Sequence, residues 1–210
     1  MAPKYNWHAI AIDAAALEAP RFERSFAEAL QERRTERRLA ALSKARALGL
    51  IDSLFCQLTA ADRPEGTRVR KSAVSAGALH PIDVIVTDGP GVREPLLYDD
   101  VRRVFQVLQI RDQAELARSI GTLKEMVPQA SGHLIVFAGH LNRVASAYDN
   151  PTSLLWRDAG AADQLMAMGA WAAGARYVPL GALPDPIIRS IRGDSEEVIG
   201  VGCGVLGVAA

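Results

Sequence analysis

The sequence lacks the features that mark secreted, membrane-bound or metal-binding proteins. Its 210 residues include only two cysteines, Cys56 and Cys203, far apart and without CxxC spacing, which favours buried free thiols in a reducing compartment. No apolar run approaches the length of a membrane span, and the N-terminus lacks the basic-then-apolar layout of a signal peptide. The four histidines are scattered without paired ligand spacing, so no metal site is predicted. We therefore expect a cytoplasmic protein.

An excess of charge of either sign is also missing. The 24 basic and 24 acidic residues give a formal net charge of zero, which gives no support to nucleic acid or an anionic membrane as the main partner. About half of the residues are apolar, enough for a substantial core. We expect a single domain over residues 21–210, preceded by an irregular N-terminal extension over residues 1–20.

Hydrophobic periodicity predicts helices alternating with strands, without a repeat or a linker. The longest predicted helix, 154–173, is apolar nearly all round and is expected to be deeply buried. The polar stretch 62–66 is predicted as a loop. The other predicted helices are 21–30, 39–48 (ended by Gly49), 50–58, 100–109, 112–122 and 185–192, and the predicted strands are 82–87, 96–98, 134–138, 177–180 and 198–208.

The first segment with chemical potential is the arginine-rich run at residues 33–38, Arg-Arg-Thr-Glu-Arg-Arg. Its guanidinium groups can neutralise a phosphate, and the Thr35 hydroxyl can add a hydrogen bond. The helix predicted from Leu39 would offer its N-terminal amides to the same anion. The alternative is a solvated charged face with Glu32 and Glu36 as local partners, and the run taken alone favours this alternative.

Two glycine-containing segments follow. Ser75–Pro81 (Ser-Ala-Gly-Ala-Leu-His-Pro) precedes a predicted strand, and its small residues permit close approach of the backbone to a flat ligand. Its hydroxyl and free amides could then bond such a ligand, whereas the alternative is tight packing before the strand. Gly174–Ala182 turns from the long helix into a short strand and a proline-glycine loop, which could present amides to a heteroaromatic ring or simply connect the two elements.

These three segments, in this order and at these separations, resemble the FMN-dependent nitroreductase superfamily. The Ser75–Pro81 segment resembles the SagB-type branch, which includes azoline dehydrogenases acting on modified peptides, and the similarity covers Phe22 to Leu206. The resemblance implies an α+β fold, a three-layer α/β/α sandwich with a mostly antiparallel central sheet and a long buried helix. It also implies an intertwined homodimer with each FMN between two subunits.

The resemblance also implies which residues bind FMN. The arginine-rich run would hold the phosphate and ribityl chain, the second segment would lie along the flavin, and the third would turn its backbone toward the reactive edge of the ring. The implied FMN-binding residues are Arg33, Arg34, Thr35, Arg37, Ser75, Ala76, Gly77, Leu79, Leu180 and Gly181.

The sequence departs from the SagB-type pattern at three places. The lysine-tyrosine pair expected before the long helix is Ala147-Tyr148, the glycine-histidine pair on that helix is Gly160-Ala161, and the proline before the serine of the second segment is Val74.

Oxidising a C–H bond needs a base near the carbon as hydride leaves. Tyr148 and His80 are the candidate catalytic residues, and Asp149 and Asp158 are further carboxylates that could serve. The alternative for Tyr148 is a packed aromatic residue with a bonded hydroxyl, and for His80 a structural role before Pro81.

The leading functional hypothesis is an FMN-dependent dehydrogenase of a specialised-metabolite or peptide-derived intermediate in natural product biosynthesis, with O₂ as terminal acceptor. A second hypothesis is an NAD(P)H-dependent reductase of nitro compounds or quinones. A third is a catalytically reduced flavin-fold subunit of a hetero-complex. Because few residues precede the first family-like helix, a small substrate or a separate partner subunit is expected.

Overall fold

The computed structural model describes residues 4–61, 68–193 and 197–210, and the loop predicted at 62–66 lies outside them. The described helices are α1 (Phe26–Glu32), α2 (Lys44–Phe55), α3 (Gln113–Glu125), α4 (Leu141–Ala145), α5 (Pro151–Ala172) and α6 (Asp185–Arg192). The described strands are β1 (Ala9–Ile12), β2 (Leu39–Ala40), β3 (Thr59–Ala61), β4 (Arg68–Arg70), β5 (Ile82–Asp88), β6 (Leu96–Asp99), β7 (Val104–Leu108), β8 (His133–His140), β9 (Arg176–Pro179) and β10 (Val198–Ala209).

The central sheet has the strand order β1-β7-β6-β5-β8-β10-β2, with β9 also paired to β10. All of these strand pairings are antiparallel. Because side chains alternate along a strand, Val84 and Val86 pack in one core cluster with α2 and α5, whereas Ile85 packs in another with α3 and α6. The chain is thus the α+β three-layer sandwich that was expected.

The long helix α5 runs down one face of the sheet. Asn150 caps it by accepting a hydrogen bond from the Ser153 amide, and Pro151 occupies its first turn, where no backbone N–H is needed. Its buried residues include Leu155, Ala162 and Met166, but an exposed stripe of Trp156, Arg157, Gly160 and Gln164 follows the opposite side. Burial all round was therefore wrong for the single chain.

The predicted helix break at Gly49 is wrong, because α2 is continuous from Lys44 to Phe55. The Ser43 hydroxyl accepts a hydrogen bond from the Arg46 amide, 3.3 Å away, so the helix begins later than predicted. Gly49 serves close packing instead, since a Cβ there would lie 2.0 Å from the carbonyl oxygen of Glu18. The predicted helical start at Leu39 is also wrong, because Leu39–Ala40 pairs with β10 as a strand.

The sheet edge also differs from the sequence prediction. Val104–Leu108 is a strand rather than the predicted helix at 100–109, because it pairs with β6 on one side and β1 on the other. The irregular backbone predicted for residues 1–20 is wrong over Ala9–Ile12, which forms the edge strand β1. Cys56 and Cys203 are free and buried, as expected. No helix in the described ranges is long and apolar enough to cross a membrane.

A buried charge cluster fixes the N-terminal segment to the sheet. Asp83 on β5 accepts hydrogen bonds from Lys4 Nζ at 2.6 Å and from Trp7 Nε1 at 2.8 Å. The His140 Nε2 atom lies 2.6 Å from the same carboxylate. Burial alone would raise the pKa of Asp83, but Lys4 and His140 hold it well below its ordinary value. Lys4 and Trp7, which precede β1, therefore pack against the central sheet.

Candidate functional site

The Ser75–Pro81 segment lies against α5 and is held there by Asp158. The Ser75 hydroxyl donates to Asp158 Oδ2 at 2.5 Å, and the Ala76 amide donates to Asp158 Oδ1 at 3.2 Å. The same Ser75 hydroxyl accepts from the His80 amide at 2.9 Å. One carboxylate and one hydroxyl thus tie both ends of the segment to the long helix.

The backbone of this segment is unusual. Gly77, Ala78 and His80 have φ angles of 58°, 53° and 46°, and left-handed backbone is costly for a residue with a Cβ. The Ala78 and Leu79 amides donate to the carbonyls of Ser75 and Ala76. The Ala76 and His80 amides are also bonded within the protein. The amides of Ala76, Ala78, Leu79 and His80 are therefore not the free donors that were expected in this segment.

His80 is buried, with Nε2 3.0 Å from the carbonyl oxygen of Val69. Burial lowers the pKa of His80 to about 4, so the imidazole is neutral at physiological pH and its Nε2–H donates to that carbonyl.

The Leu79 side chain is buried in the core. Tyr148 follows α4, is 37% exposed, and lines neither of the two pockets that flank α5.

The first of these pockets, here called the loop pocket, is lined by Ser75 and His80 together with Asp158 and Lys71. Burial raises the pKa of Asp158, although its bonds to Ser75 and Ala76 act in the opposite direction. Burial also lowers the pKa of Lys71, whose ammonium lies 2.5 Å from Asp100. The loop pocket is therefore largely apolar, and both Asp158 and Lys71 in its wall are already bonded to other protein groups.

The second pocket, here called the Gly181 pocket, lies on the exposed stripe of α5. Trp156, Gly160 and Asp163 line one wall, and Leu180, Gly181 and Cys203 line the other. The Leu180 amide donates to the Cys203 carbonyl at 2.9 Å, whereas the Gly181 amide has no hydrogen-bond partner among the described residues. A Cβ on Gly160 or Gly181 would meet no atom within 4 Å, so both glycines border open space.

The arginine-rich run follows α1 on the surface. Arg34 donates to the carbonyls of Gln31 and Arg33, and Glu36 pairs with Arg176 on β9 rather than with a neighbouring arginine. Within residues 4–61, 68–193 and 197–210, no carboxylate lies within ion-pair distance of Arg33, Arg34 or Arg37. These guanidinium groups are therefore uncompensated, and Thr35 between them is exposed. The helix N-terminus expected beside them is absent, because β2 follows instead.

The three segments do not meet in one pocket of the single chain. The Ser75–Pro81 segment borders the loop pocket, Leu180 and Gly181 border the other pocket, and Arg33–Arg38 lines neither. The helix α5 connects the two pockets through Asp158 and Asp163. Asp163 was not identified from the sequence, although a carboxylate inside a largely apolar helix is a signal, because burying a charge is costly.

Comparisons with known proteins bear on the fold. No family model matches the sequence, and no curated protein matches it. A nitroreductase-family structure from Ralstonia eutropha superposes with a TM-score of 0.69 at 15% identity, covering 99% of this chain and 96% of that one.

Two other solved structures share the fold. The microcin synthetase McbBCD complex of E. coli, solved with truncated pro-MccB17 bound, contains a chain similar at 16% identity and a TM-score of 0.63, with 87% of this chain and 73% of that one covered. A Staphylococcus epidermidis protein described as an NAD(P)H:FMN oxidoreductase is similar at 11% identity and a TM-score of 0.59, with 93% and 92% covered. At these identities the likeness establishes the fold: the chain has the architecture of nitroreductase-like proteins.

Proposed function

We propose that this protein is an FMN-dependent oxidoreductase that dehydrogenates a specialised-metabolite or peptide-derived intermediate, with O₂ as terminal acceptor. The observation that carries the proposal is the open, partly polar surface along α5. On one side Asp158 holds the Ser75–Pro81 segment in a fixed conformation, and on the other the Gly181 amide points to no protein acceptor among the described residues. The nitroreductase-like fold agrees with this assignment.

The residues present fit FMN chemically. The uncompensated guanidinium groups of Arg33, Arg34 and Arg37 suit a phosphate dianion. In the Gly181 pocket, Gly160 and Gly181 leave space for a flat ring. The unpaired amide of Gly181 suits a ring nitrogen or carbonyl. FMN would supply hydride acceptance, while the protein would supply position and electrostatics.

A homodimer would bring these segments together. Phe26 and Leu30 lie one turn apart on α1 and are 70% and 64% exposed, and Phe22, which precedes the helix, is 49% exposed. Val74, beside the Ser75–Pro81 segment, is 75% exposed. Exposed apolar clusters mark interaction surfaces, and covering them with a second copy would let each FMN contact the arginine-rich run of one subunit and the Ser75–Pro81 segment of the other.

The runner-up is an NAD(P)H-dependent nitro or quinone reductase. It is favoured by the similarity to the Staphylococcus epidermidis protein over nearly its whole length and by Ala147 at the place of the expected lysine. The likeness to a chain of the microcin synthetase complex keeps a subunit of a hetero-complex as the third reading. Anaerobic mixing of the flavin-loaded protein with NADPH separates the first two, because rapid bleaching indicates a reductase and no bleaching indicates a dehydrogenase fed by its own substrate.

The phosphate assignment is tested by Arg33→Ala. Loss of a charge-assisted bond to phosphate should weaken FMN binding by more than about 1 kcal/mol, roughly fivefold in Kd, measured by quenching of flavin fluorescence. Arg93→Ala is the matched control, since Arg93 is exposed and has no ion pair in the described part of the chain. Equal affinities of wild type and Arg33→Ala would show that the run is only a solvated face.

A further inference from the structure

Asp163 has surroundings that differ from those of Asp158, the other carboxylate on α5. Its Oδ1 accepts a hydrogen bond from the Tyr177 hydroxyl on β9 at 2.8 Å. Room for the Tyr177 ring comes from Gly204 on β10, where a Cβ would lie 2.4 Å from the ring and its hydroxyl. Glycine inside a strand is destabilising, so the Tyr177 hydroxyl is placed against Asp163 at a cost to the stability of β10.

No cation compensates this carboxylate in the described part of the chain. The titratable groups that face it are Tyr177 on β9 and Cys203 on β10, and α5 itself adds none. Burial raises the pKa of Asp163, and only the Tyr177 hydrogen bond lowers it. Burial also holds the pKa of Tyr177 well above its ordinary value and raises that of Cys203 to about 12. Asp163 is therefore the group of this trio that releases its proton at the lowest pH, and its pKa is raised above the ordinary value.

Asp163 also lies where a reacting group would be needed. It lines the Gly181 pocket together with Leu180 and Gly181, the segment proposed to face the reactive edge of the flavin. By contrast, Tyr148 is exposed and does not line this pocket, and the carboxylate of Asp158 is occupied by the Ser75–Pro81 segment.

We propose that Asp163, held by Tyr177, is the catalytic acid-base of the Gly181 pocket. In a dehydrogenation, the substrate C–H bond would break with its electron pair leaving as hydride, and bound FMN would supply the hydride-accepting chemistry. The neighbouring N–H or O–H proton passes to the Asp163 carboxylate, and the electron pair of that bond forms the new C=N or C=O bond. In the reverse direction, bound FMN would supply hydride to one oxygen of a quinone, and the protonated Asp163 would deliver the proton to its second oxygen. This assignment rests on the proposed function.

The substitution that tests it is Asp163→Asn, which keeps an acceptor for Tyr177 but cannot titrate. The flavin-loaded protein is reduced anaerobically by light and mixed with menadione in a stopped-flow instrument over a pH series. We expect the wild-type rate to fall as pH rises through the pKa of Asp163, and the variant rate to be flat and lower by about a hundredfold at the acidic end. Glu125→Gln, an exposed carboxylate on α3, should keep the wild-type profile.

Tyr177→Phe gives a second variant with a different signature. It leaves Asp163 in place but removes the hydrogen bond that lowers its pKa, so the falling limb should move to higher pH without disappearing. If the Asp163–Tyr177 pair is purely structural, the substitution would lower the rates at all pH values by a similar factor and leave the position of the falling limb unchanged. That result would overturn the proposal.

A readout without turnover comes from unfolding. Because the folded-state pKa of Asp163 lies above its ordinary value of 3.8, its favourable contribution is present below that value and is lost as pH rises through the folded-state pKa. The free energy of unfolding of Asp163→Asn relative to wild type should therefore increase with pH across this window and then level off. A difference independent of pH would contradict the environment on which the proposal depends.

The two levels of failure are distinguishable. A protein that does not bind FMN overturns the proposed function and the role of Asp163 with it. A flavin-loaded Asp163→Asn protein with the wild-type menadione profile overturns only the role of Asp163.

Discussion

Removing the Ser75 hydroxyl should destabilise the protein more than an ordinary surface serine substitution. In Ser75→Ala, Asp158 Oδ2 loses the donor that lies 2.5 Å away, and the His80 amide loses its acceptor at 2.9 Å. Asp158 and His80 are only 7% and 8% exposed, so water replaces the missing hydroxyl poorly. The left-handed backbone at Ala78 and His80 also loses the contact that helps to hold it.

The magnitude follows from two buried groups left without partners. Each costs about 1–3 kcal/mol, and protonation of Asp158 relieves part of the cost because its pKa is already raised. We expect a loss of about 2–4 kcal/mol in the free energy of unfolding. Combined with Asp158→Asn, the double substitution should cost less than the sum, with a coupling energy of about 1–2 kcal/mol.

Equilibrium unfolding in urea, followed by circular dichroism, measures these quantities. Ser153→Ala, on the same helix as Asp158, is the control serine substitution, because the Ser153 hydroxyl makes no hydrogen bond among the described residues. It should change stability by less than about 0.5 kcal/mol. If Ser75→Ala behaves like Ser153→Ala, or if the double substitution is additive, Asp158 does not hold the Ser75–Pro81 segment as described.

Two other substitutions probe the pocket and the sheet. Gly160→Ala and Gly121→Ala both place a methyl group in open space on a helix, and each should stabilise the protein by about 0.5–1 kcal/mol. Only Gly160→Ala should also weaken FMN binding, because only Gly160 lines the Gly181 pocket. Equal flavin affinities of the two variants in a titration would argue against that pocket as the flavin site. Asp83→Asn should cost about 3–5 kcal/mol at neutral pH. Because the pKa of Asp83 is depressed in the folded protein, this deficit in the free energy of unfolding should shrink as pH falls below the ordinary value of 3.8 and through the folded-state pKa. A constant deficit in urea titrations over the same pH range would show that the carboxylate charge is not the stabilising element.

Local patterns predicted those elements whose signals are strong in the sequence itself. Helix α6 was predicted at 185–192 and is observed at Asp185–Arg192, and strand β5 was evident from its β-branched residues. The position of the Ser75–Pro81 segment before β5 followed directly. These elements satisfy their backbone and packing requirements within a short stretch of chain.

Other features depended on residues distant in sequence. The run Val104–Leu108 reads equally well as a short helix or a strand, and pairing with β6 and β1 decides for the strand. Gly49 reads as a helix break, but the approach of the Glu18 backbone is what requires it. The Asp158–Ser75 bond joins residues 83 positions apart, and the Asp163–Tyr177 pair joins a helix to a strand, so neither could be read from local spacing.

The central claim is that the chain carries FMN. The most direct test is to incubate the purified protein with FMN, separate free flavin by gel filtration, and record the visible absorption spectrum of the protein peak. We expect a yellow protein with stoichiometric flavin eluting at the size of a dimer. A colourless peak that takes up no FMN would contradict the central claim.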